Sequence, residues 1–331
     1  MQSILEDFKS KAYPIEPAVN RFLLESECAC ILSACSGGSD SVFTSILLAS
    51  LQEKMGFTLV LAHYNHAWRG MASDEDCSFV QNLADSLGLE CRFERAESNS
   101  ELAQSETLAR TARIEFLRNA AETVGADAIA YGHQMNDIFE SQVLRLARGA
   151  GLDGMIAPRP IHRFKDYPTH IRPVLNYNSE EIVTILREQG IEWREDASNA
   201  DSSIPRNLLR QSLIPALSNC MQRNVSEGAS RSRRLLEVDA ECLESLARER
   251  LPACYTLEER LERAQLRAEN RALTRRAFVY WLHKMNPNCK LSAVLQEHLL
   301  EAIYGDRFGK KFSLGTEFLR MNKRYIWLEK S

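Results

Sequence analysis

The feature that most constrains the fold of this chain is a break in an apolar segment near its start. The run Ile31–Cys35, "ILSAC", ends abruptly in "SGGSDS" at residues 36–41, and the apolar residues Val42, Ile46 and Leu47 then recur at helical spacing. A short apolar run followed by paired glycines and a helical period predicts a strand, a tight turn and a helix. Such a junction is typical of proteins that alternate strands with helices.

The turn has the composition of an anion-binding site. Glycines let the backbone approach a ligand closely, and the first amides of the next helix lack internal partners and lie at the positive end of its dipole. Hydroxyls add donors, and a carboxylate can hold Mg²⁺ over phosphates. The residues that we expect to bind phosphate are Ser36, Gly37, Gly38, Ser39, Asp40 and Ser41, with Asp40 as the metal ligand. The alternative is a tight turn capped by a serine.

The first half of the chain continues the alternation of strands and helices. Its strand-like runs are "CACILSA", "FTLVLAH", "LECRFER" and "DAIAYGH", and helical segments between them end at glycines. This pattern predicts an α/β fold, a parallel sheet with helices on both faces. The Gly- and Pro-rich residues 149–173 are expected to form a loop at the sheet edge. We predict two domains, residues 1–215 with the α/β fold and residues 216–331 as a smaller, mainly helical domain.

Bulk composition restricts the class of protein. The start "MQSILEDFKS" lacks the order of a signal peptide, and no apolar run reaches the ~18 residues that span a bilayer, so we expect a cytoplasmic protein without a membrane partner. Nine cysteines without a Cys-x-x-Cys pair predict free thiols. The formal net charge of −4 argues against a uniformly basic nucleic-acid binder but allows local basic patches.

The stretch from Cys30 to Leu217 contains "SGGSDS", "LAHYNHAWRG", "ETLARTARIEFL", "YGHQMNDIFESQVLRLARGAGLDGM", "IRPVL" and "GIEWREDASNADSSIPRNLLR". On these motifs the stretch resembles the tRNA(Ile)-lysidine synthetase family of the PP-loop ATP-pyrophosphatase superfamily. These motifs occur in the family's order and at its spacing, and the ordered set is far more specific than any one of them. The resemblance implies an adenine nucleotide alpha hydrolase-like fold for the first domain.

The resemblance also implies an activity. Members of the family use ATP to adenylate the 2-carbonyl oxygen of the wobble cytidine in an isoleucine tRNA with a CAU anticodon, releasing pyrophosphate. The ε-amine of free L-lysine then displaces AMP and forms lysidine. The expected ligands are therefore ATP, Mg²⁺, L-lysine and tRNA(Ile), with the Arg-rich second domain binding the tRNA. A homodimer is an open expectation, because nothing in the sequence fixes the oligomeric state.

Two carboxylates in "YGHQMNDIFES", Asp137 and Glu140, are three residues apart and so face one side of a predicted helix. Such a pair suits an ammonium group or a metal ion, and the resemblance implies that it binds the lysine substrate. A nearby carboxylate is also the natural acceptor of the proton that the ammonium loses. The alternative is capping of the helix by Asn136, with both acids complementing its dipole. The resemblance places His133 near the phosphates.

Two arginine pairs are further candidates. Arg110 and Arg113 share one face of a predicted helix and suit the charge on a transferring phosphoryl group, with an ion-paired solvent face as the alternative. Arg206 and Arg210 lie one turn apart after a polar loop and suit nucleotide phosphates or the tRNA backbone, with an ordinary helix start as the alternative. The resemblance favours the functional interpretation of both pairs, and Arg113 is expected to reach the base or phosphate. It places His63 where adenine and ribose bind.

Two other functions suit the same scaffold. A tRNA thiolase needs a sulfur source, and some thiolases use Cys-x-x-Cys pairs, which this sequence lacks. A non-catalytic ATP-binding module needs neither tRNA nor lysine. Pyrophosphate release that depends on both tRNA and lysine would separate these functions.

Overall fold

The structure is a computed structural model, and it describes residues 2–67, 71–96, 106–195, 205–256, 259–286, 289, 291–305, 309–314 and 317–330. The chain forms two compact units, Met1–Leu144 with Ala157–Arg231 and Arg145–Ile156 with Ser232–Ser331. The division after residue 215 remains a prediction about functional domains.

Within the described residues, the first unit contains one six-stranded sheet. Its strands are β1 (Cys30–Ala34), β2 (Thr58–Asn65), β3 (Glu90–Arg95), β4 (Ala128–Tyr131), β5 (Ile161–His162) and β6 (Thr169–Ile171). They are arranged in the order β3-β2-β1-β4-β6-β5, and every neighbouring pair is parallel except β5 with β6. The predicted parallel sheet is therefore confirmed, with one short antiparallel strand at its edge.

Helices precede, connect and follow these strands. In chain order they are α1 (Gln2–Lys11), α2 (Pro17–Glu25), α3 (Ser39–Met55), α4 (Met71–Leu87), α5 (Glu106–Val124), α6 (Met135–Leu146), α7 (Leu152–Met155), α8 (Ser179–Glu188), α9 (Pro205–Leu208), a π-helical turn at Leu209–Leu213, and α10 (Ile214–Met221). Of these, α7 belongs to the second unit. The helix predicted directly after the glycine turn is α3.

Helices cover both faces of the sheet. Leu32 of β1 packs on one face with Phe116 of α5. Its neighbour Ile31 packs on the other face with Val19 of α2 and Leu48 of α3. Because successive strand residues point to opposite faces, a strand covered on both sides must be apolar throughout. The predicted two-sided covering of the sheet is confirmed.

The Gly- and Pro-rich stretch at residues 149–173 is not simply a loop. It contains α7, β5 and β6, so the loop prediction was wrong for these residues, although β5 and β6 do lie at the sheet edge. The strand β6 is three residues long, with Ile171 as its buried member. Such a strand is too short to show alternation in sequence, and it forms because β4 supplies its hydrogen-bonding partner.

The second unit is mainly helical, as predicted, and ends in strands. Its remaining elements are α11 (Val225–Arg250), which begins in the first unit, a 3₁₀ turn at Leu251–Cys254, β7 (Leu261–Glu262), α12 (Arg263–Ala268), α13 (Arg271–Met285), α14 (Ala293–Tyr304), β8 (Lys310–Ser313), β9 (Glu317–Met321) and β10 (Tyr325–Lys330). In its described residues the strands form an antiparallel sheet in the order β7-β10-β9-β8.

The core of the second unit is built around Trp281 and Leu282, with Ile303 of α14 packed against them. Arg263 is buried and donates from Nε to the carbonyl of Ile303 (3.0 Å) and from Nη2 to that of Ala302 (2.8 Å). These bonds satisfy carbonyls that the end of α14 would leave unpaired. None of the helices in the described ranges has the length and apolarity of a bilayer span. The nine cysteines are free thiols, as predicted.

Candidate active site

A cavity of about 1160 Å³ opens in the first unit, where β1, β2 and β4 end. Parallel strands bring their carboxyl ends to one sheet edge, so the segments that follow them converge there. The predicted site residues that line the cavity are Ser36, Gly38, Ser39, Asp40, Ser41, His63, Arg110, Arg113, His133, Arg206 and Arg210. The other three, Gly37, Asp137 and Glu140, are buried beside these lining residues.

The turn between β1 and α3 has the geometry expected of an anion site. Gly37 has φ +90°, a conformation that residues with a Cβ rarely adopt. Gly38 is the N-cap of α3 and provides no side-chain cap. The first amides of α3 are therefore not capped by this residue and remain suited to an anionic ligand.

The three hydroxyls of the turn have different surroundings. Ser41 is buried, accepts a hydrogen bond from the amide of Ser36 (3.1 Å) and donates to the carbonyl of Gly38 (2.9 Å). Ser36 is exposed and Ser39 is half-buried. Ser41 therefore stabilises the turn, and Ser36 and Ser39 are the hydroxyls most accessible to a ligand.

The carboxylate of Asp40, which lines the cavity, has a strongly raised pKa. Burial, and then the negative charge of Asp137, raise the pKa of Asp40 to about 7, against the opposing charge of Arg210. Its backbone is in close contact with Gly132, where an added Cβ would lie 2.9 Å from the carbonyl carbon and oxygen of Asp40. Glycine at position 132 therefore lets the end of β4 approach the turn, a role that the sequence analysis did not identify.

Two acids and two arginines form a compact cluster next to the cavity. Arg206 of α9 donates from Nη2 to Asp137 Oδ1 (2.8 Å) and from Nε to Glu140 Oε2 (2.5 Å). Arg210, in the π-helical turn, donates from Nη2 to the same oxygen of Asp137 (2.9 Å) and from Nε to Glu140 Oε1. Single π-helical turns are rare and are frequent at functional sites. The two predicted pairs are thus in direct contact.

Burial determines the electrostatics of this cluster. The side chains of Glu140 and Asp137 are 0% and 6% exposed, whereas those of Arg206 and Arg210 are 36% and 39% exposed. Burial of Asp137 favours the neutral acid, but the cationic groups around it and a 2.9 Å hydrogen bond from the amide of Gln134 outweigh burial and lower its pKa. An unpaired carboxylate would be costly here, so a ligand that displaces an arginine must bring a positive charge.

Two histidines of the cavity are neutral at physiological pH. The Nδ1 atom of His63 lies 2.9 Å from the carbonyl oxygen of Cys35, which can only accept, so Nδ1 carries the proton. Burial lowers the pKa of His63 and lowers that of His133 to about 3. The Nδ1 atom of His133 is buried without a hydrogen-bond partner among the described residues. Neither ring adds a positive charge to the cavity wall.

Arg110 and Arg113 of α5 line the cavity and are exposed to solvent. No ion pair joins either guanidinium to a carboxylate of the described residues. The side chain of Glu106, one turn before Arg110 on α5, lies outside them. Two cations in this position suit an anionic ligand.

Arg194 makes contacts that the sequence analysis did not identify. Its amide donates to the carbonyl of Gly37 (2.8 Å), and its guanidinium pairs with Asp76 (2.9 Å) and Glu75 (2.7 Å). These bonds hold the segment around Trp193 against the turn after β1. The partners are more than a hundred residues apart in sequence, so no local pattern reveals them.

Comparisons with known proteins agree with this geometry. The profile of the ATP-binding PP-loop domain matches residues 12–217. The tRNA(Ile)-lysidine synthase of Geobacter sulfurreducens is 36% identical over 226 residues, which cover 67% of this chain and 47% of that protein. The enzyme of the same name from Chlorobaculum tepidum is 35% identical over 191 residues, 56% of each chain. The chain spans about half the length of the curated relatives it matches.

A solved structure shows the same fold. The U34-tRNA thiolase NcsA from Methanococcus maripaludis, with its 4Fe-4S cluster, superposes with a TM-score of 0.56 at 15% sequence identity, covering 71% of this chain and 79% of that one. At this level of identity the likeness concerns the fold alone.

Proposed function

The chain belongs to the PP-loop domain family, and from that premise we propose that it is an ATP-dependent ligase that modifies tRNA. The proposed reaction joins L-lysine to the wobble cytidine of the isoleucine tRNA with anticodon CAU, giving lysidine, AMP and pyrophosphate. The observation that carries the proposal is the convergence at one cavity of a hydroxyl-rich turn, two arginines and an arginine-paired couple of buried carboxylates. The similarity to enzymes named tRNA(Ile)-lysidine synthase supports it.

In this proposal the turn at residues 36–41 holds the triphosphate of ATP. The first amides of α3 and the hydroxyls of Ser36 and Ser39 donate hydrogen bonds to phosphate oxygens. Arg113, with Arg110 beside it on α5, neutralises charge on the α-phosphate. The adenosine lies toward the end of β2, next to His63, whose neutral ring adds no charge there.

Asp40 fits a Mg²⁺ ion carried by the nucleotide. Its carboxylate lines the cavity at the turn, and burial and then the negative charge of Asp137 raise its pKa, so a bound cation would favour its ionised form. Proteins often hold Mg²⁺ through one or two carboxylates while phosphates and water complete its coordination. The ion, when bound, supplies neutralisation of phosphate charge.

The first chemical step transfers AMP to the cytidine. The 2-carbonyl oxygen of the base attacks the α-phosphorus, the bond from this phosphorus to the bridging oxygen breaks, and pyrophosphate leaves with the bonding electrons. The protein forms no covalent bond, so positioning and charge stabilisation by the turn and by Arg113 account for the rate.

The second step joins lysine to the activated ring. The ε-ammonium binds Asp137 and Glu140, loses a proton to a neighbouring carboxylate, and attacks C2 of the base as a free amine. The bond from C2 to the adenylated oxygen then breaks, and AMP leaves. Because Arg206 and Arg210 satisfy both carboxylates in this structure, lysine has to displace at least one guanidinium. Both arginines are more than one third exposed, which makes such a displacement sterically feasible.

The proposal also covers the RNA-binding region, the cellular location and the oligomeric state. Residues 216–331 would bind the tRNA through their Arg-rich helices, the enzyme would act in the cytoplasm, and a homodimer remains a prediction. Sedimentation of the purified chain at several concentrations would determine the oligomeric state.

Release of pyrophosphate tests the proposed function. Purified protein, ATP, Mg²⁺, L-lysine and tRNA(Ile) are combined, and each component is omitted in turn. The proposal predicts sustained release over many turnovers only when both tRNA and lysine are present, because without lysine the reaction stops after one pyrophosphate per adenylated tRNA. Release that needs a sulfur donor instead of lysine would indicate a thiolase, and ATP binding without turnover under any condition would indicate a non-catalytic module.

A further inference from the structure

A succession of planar rings runs from the cavity wall to the edge of the sheet in the first unit. His133 and Tyr131, which line the cavity, have ring centroids 5.8 Å apart, and Tyr131 lies 4.9 Å from His170 of β6. His170 in turn lies 4.6 Å from Phe164. The rings are thus in contact over the whole distance from the end of β4 to the segment that links β5 and β6.

The outer end of the succession is open to solvent. Phe164 lies 4.5 Å from His162 of β5 and 6.3 Å from Tyr167. Tyr167 is 51% exposed and His162 is also exposed. We name these six residues the aromatic array: His133, Tyr131, His170, Phe164, His162 and Tyr167. Two of the six rings are therefore accessible to a ligand in solution.

Cations accompany the array, and carboxylates are scarce. The guanidinium of Arg118 lies over the ring of Tyr167 at 4.4 Å, and that of Arg172 lies 5.9 Å from the ring of Tyr131. The segment from residue 158 to residue 172 contains four Lys or Arg residues and one acid, Asp166, in a chain whose formal net charge is −4. Arg163 and Lys165 of this segment are exposed. The array therefore lies among basic side chains that supply a local positive charge.

Two histidines of the array, His170 and His162, are neutral at physiological pH. Burial, followed by the charge of Arg172, lowers the pKa of His170 to about 4 and lowers that of His162 as well. Neutral imidazoles do not repel the neighbouring guanidinium groups, and they present flat faces like those of the other rings. The positive charge comes from Arg and Lys, and it does not depend on pH in the physiological range.

Exposed rings alternating with cations are the complement of single-stranded RNA. Bases stack on aromatic faces and phosphates pair with Arg and Lys, largely without regard to sequence. We propose that the aromatic array, together with Arg118, Arg163 and Lys165, binds the unpaired nucleotides that flank the base entering the cavity. This inference rests on the proposed function in one respect, namely that the substrate is RNA. It adds a surface that orients the strand as it leaves the reaction site.

Binding of a short RNA tests the surface directly. The probe is an unstructured, fluorescently labelled RNA of about 10 nucleotides, within the usual site size of such surfaces. Its fluorescence anisotropy is measured with the full chain. Tyr167→Ala should weaken binding about ten-fold, because it removes one stacking surface. Tyr167→Phe keeps the ring and should bind as the wild type does, which separates loss of stacking from loss of folding.

A matched control and a salt titration complete the test. Leu24 of α2 is 67% exposed, so Leu24→Ala removes an exposed apolar side chain of the first unit outside the array and should leave binding unchanged. Replacing both Arg163 and Lys165 by Ala should reduce the slope of log K against log salt by roughly 0.7 for each phosphate that is no longer neutralised. Equal binding by wild type and Tyr167→Ala, or an equal loss in Leu24→Ala, would overturn the proposal.

The result of this binding test can be distinguished from the result of the pyrophosphate test of the proposed function. A wild-type protein that binds the probe through Tyr167 but releases no pyrophosphate with tRNA and lysine supports the surface and contradicts the proposed ligase. If the Tyr167→Ala variant modifies tRNA at the wild-type rate and with an unchanged KM for tRNA, the proposed RNA-binding surface is contradicted and the proposed ligase is supported.

Discussion

Arg206 Nη2 lies 2.8 Å from Asp137 Oδ1, although the two residues are 69 positions apart in the sequence. Arg210 donates to the same oxygen, and both arginines also pair with Glu140. The carboxylates proposed to hold the lysine ammonium are therefore already balanced by positive charge. Their binding site does not need lysine in order to be stable, and lysine binding becomes an exchange of one cation for another.

Removal of one arginine should therefore affect stability. Arg206→Ala should lower the free energy of unfolding by about 2 kcal/mol, less than the 3–5 typical of a fully buried pair, because Arg206 is partly exposed and Arg210 still pairs with both acids. Urea unfolding measures the change. Lys9→Ala, which removes the exposed pair of Lys9 with Glu53, is the control and should have no measurable effect. Equal losses in the two variants would show that the buried cluster is unimportant.

The proposed lysine site can be tested separately from ATP binding. Asp137→Asn keeps the shape of the side chain but removes its charge, so the KM for lysine should rise about ten-fold or more while the affinity for ATP changes little. Glu122→Gln, an exposed acid on α5, serves as the charge-matched control. If Asp137→Asn weakened ATP binding and left the KM for lysine unchanged, these carboxylates would belong to the nucleotide site instead.

Asp40 should make stability depend on pH. Burial and the charge of Asp137 raise its pKa from 3.8 to about 7, so the folded protein keeps a proton that the unfolded chain releases between these values. The free energy of unfolding should therefore fall as the pH rises from about 4 to about 7 and then level off. Asp40→Asn should remove this part of the dependence, whereas Asp166→Asn, at an exposed acid, should retain it. Parallel pH profiles for wild type and Asp40→Asn would contradict the raised pKa.

Gly132 should tolerate no side chain. The Cβ of Gly132→Ala would lie 2.9 Å from the backbone of Asp40, so the turn must shift, and we expect weaker ATP binding and a loss of about 1–3 kcal/mol in stability. Gly228→Ala is the matched control, since a Cβ there meets nothing within 4 Å inside α11 and should be neutral or stabilising. Calorimetric titration with ATP and urea unfolding measure both effects. Wild-type affinity in Gly132→Ala would show that the close approach is unimportant.

The spacing of apolar residues and the glycines at the ends of helical segments were sufficient to predict the parallel sheet. The strands β1 and β2 are apolar on both faces because helices cover both, and this leaves a clear signal in the sequence. The strands β5 and β6 leave no such signal in the sequence, because they have only two and three residues. They form because β6 pairs with β4 and β5 pairs with β6. The turn at residues 36–41 between β1 and α3 was predictable for the same local reason, since its glycines and hydroxyls are consecutive.

The rest of the candidate site depends on contacts between distant segments. Asp137 and Arg206 were each identified, but as parts of separate sites, because no local pattern shows that they meet. Gly132 and Arg194 were not singled out at all. Their roles follow from the close packing of β4 and of the segment around Trp193 against the turn after β1, which only the folded chain brings about.

The most direct test of the account is nucleoside analysis of isoleucine tRNA with anticodon CAU after incubation with the purified protein, ATP, Mg²⁺ and L-lysine. We expect the wild type to convert the wobble cytidine to lysidine and Asp40→Ala to release no AMP and convert none. A wobble position that remains cytidine with the wild type, or conversion that persists unchanged in Asp40→Ala, would contradict it.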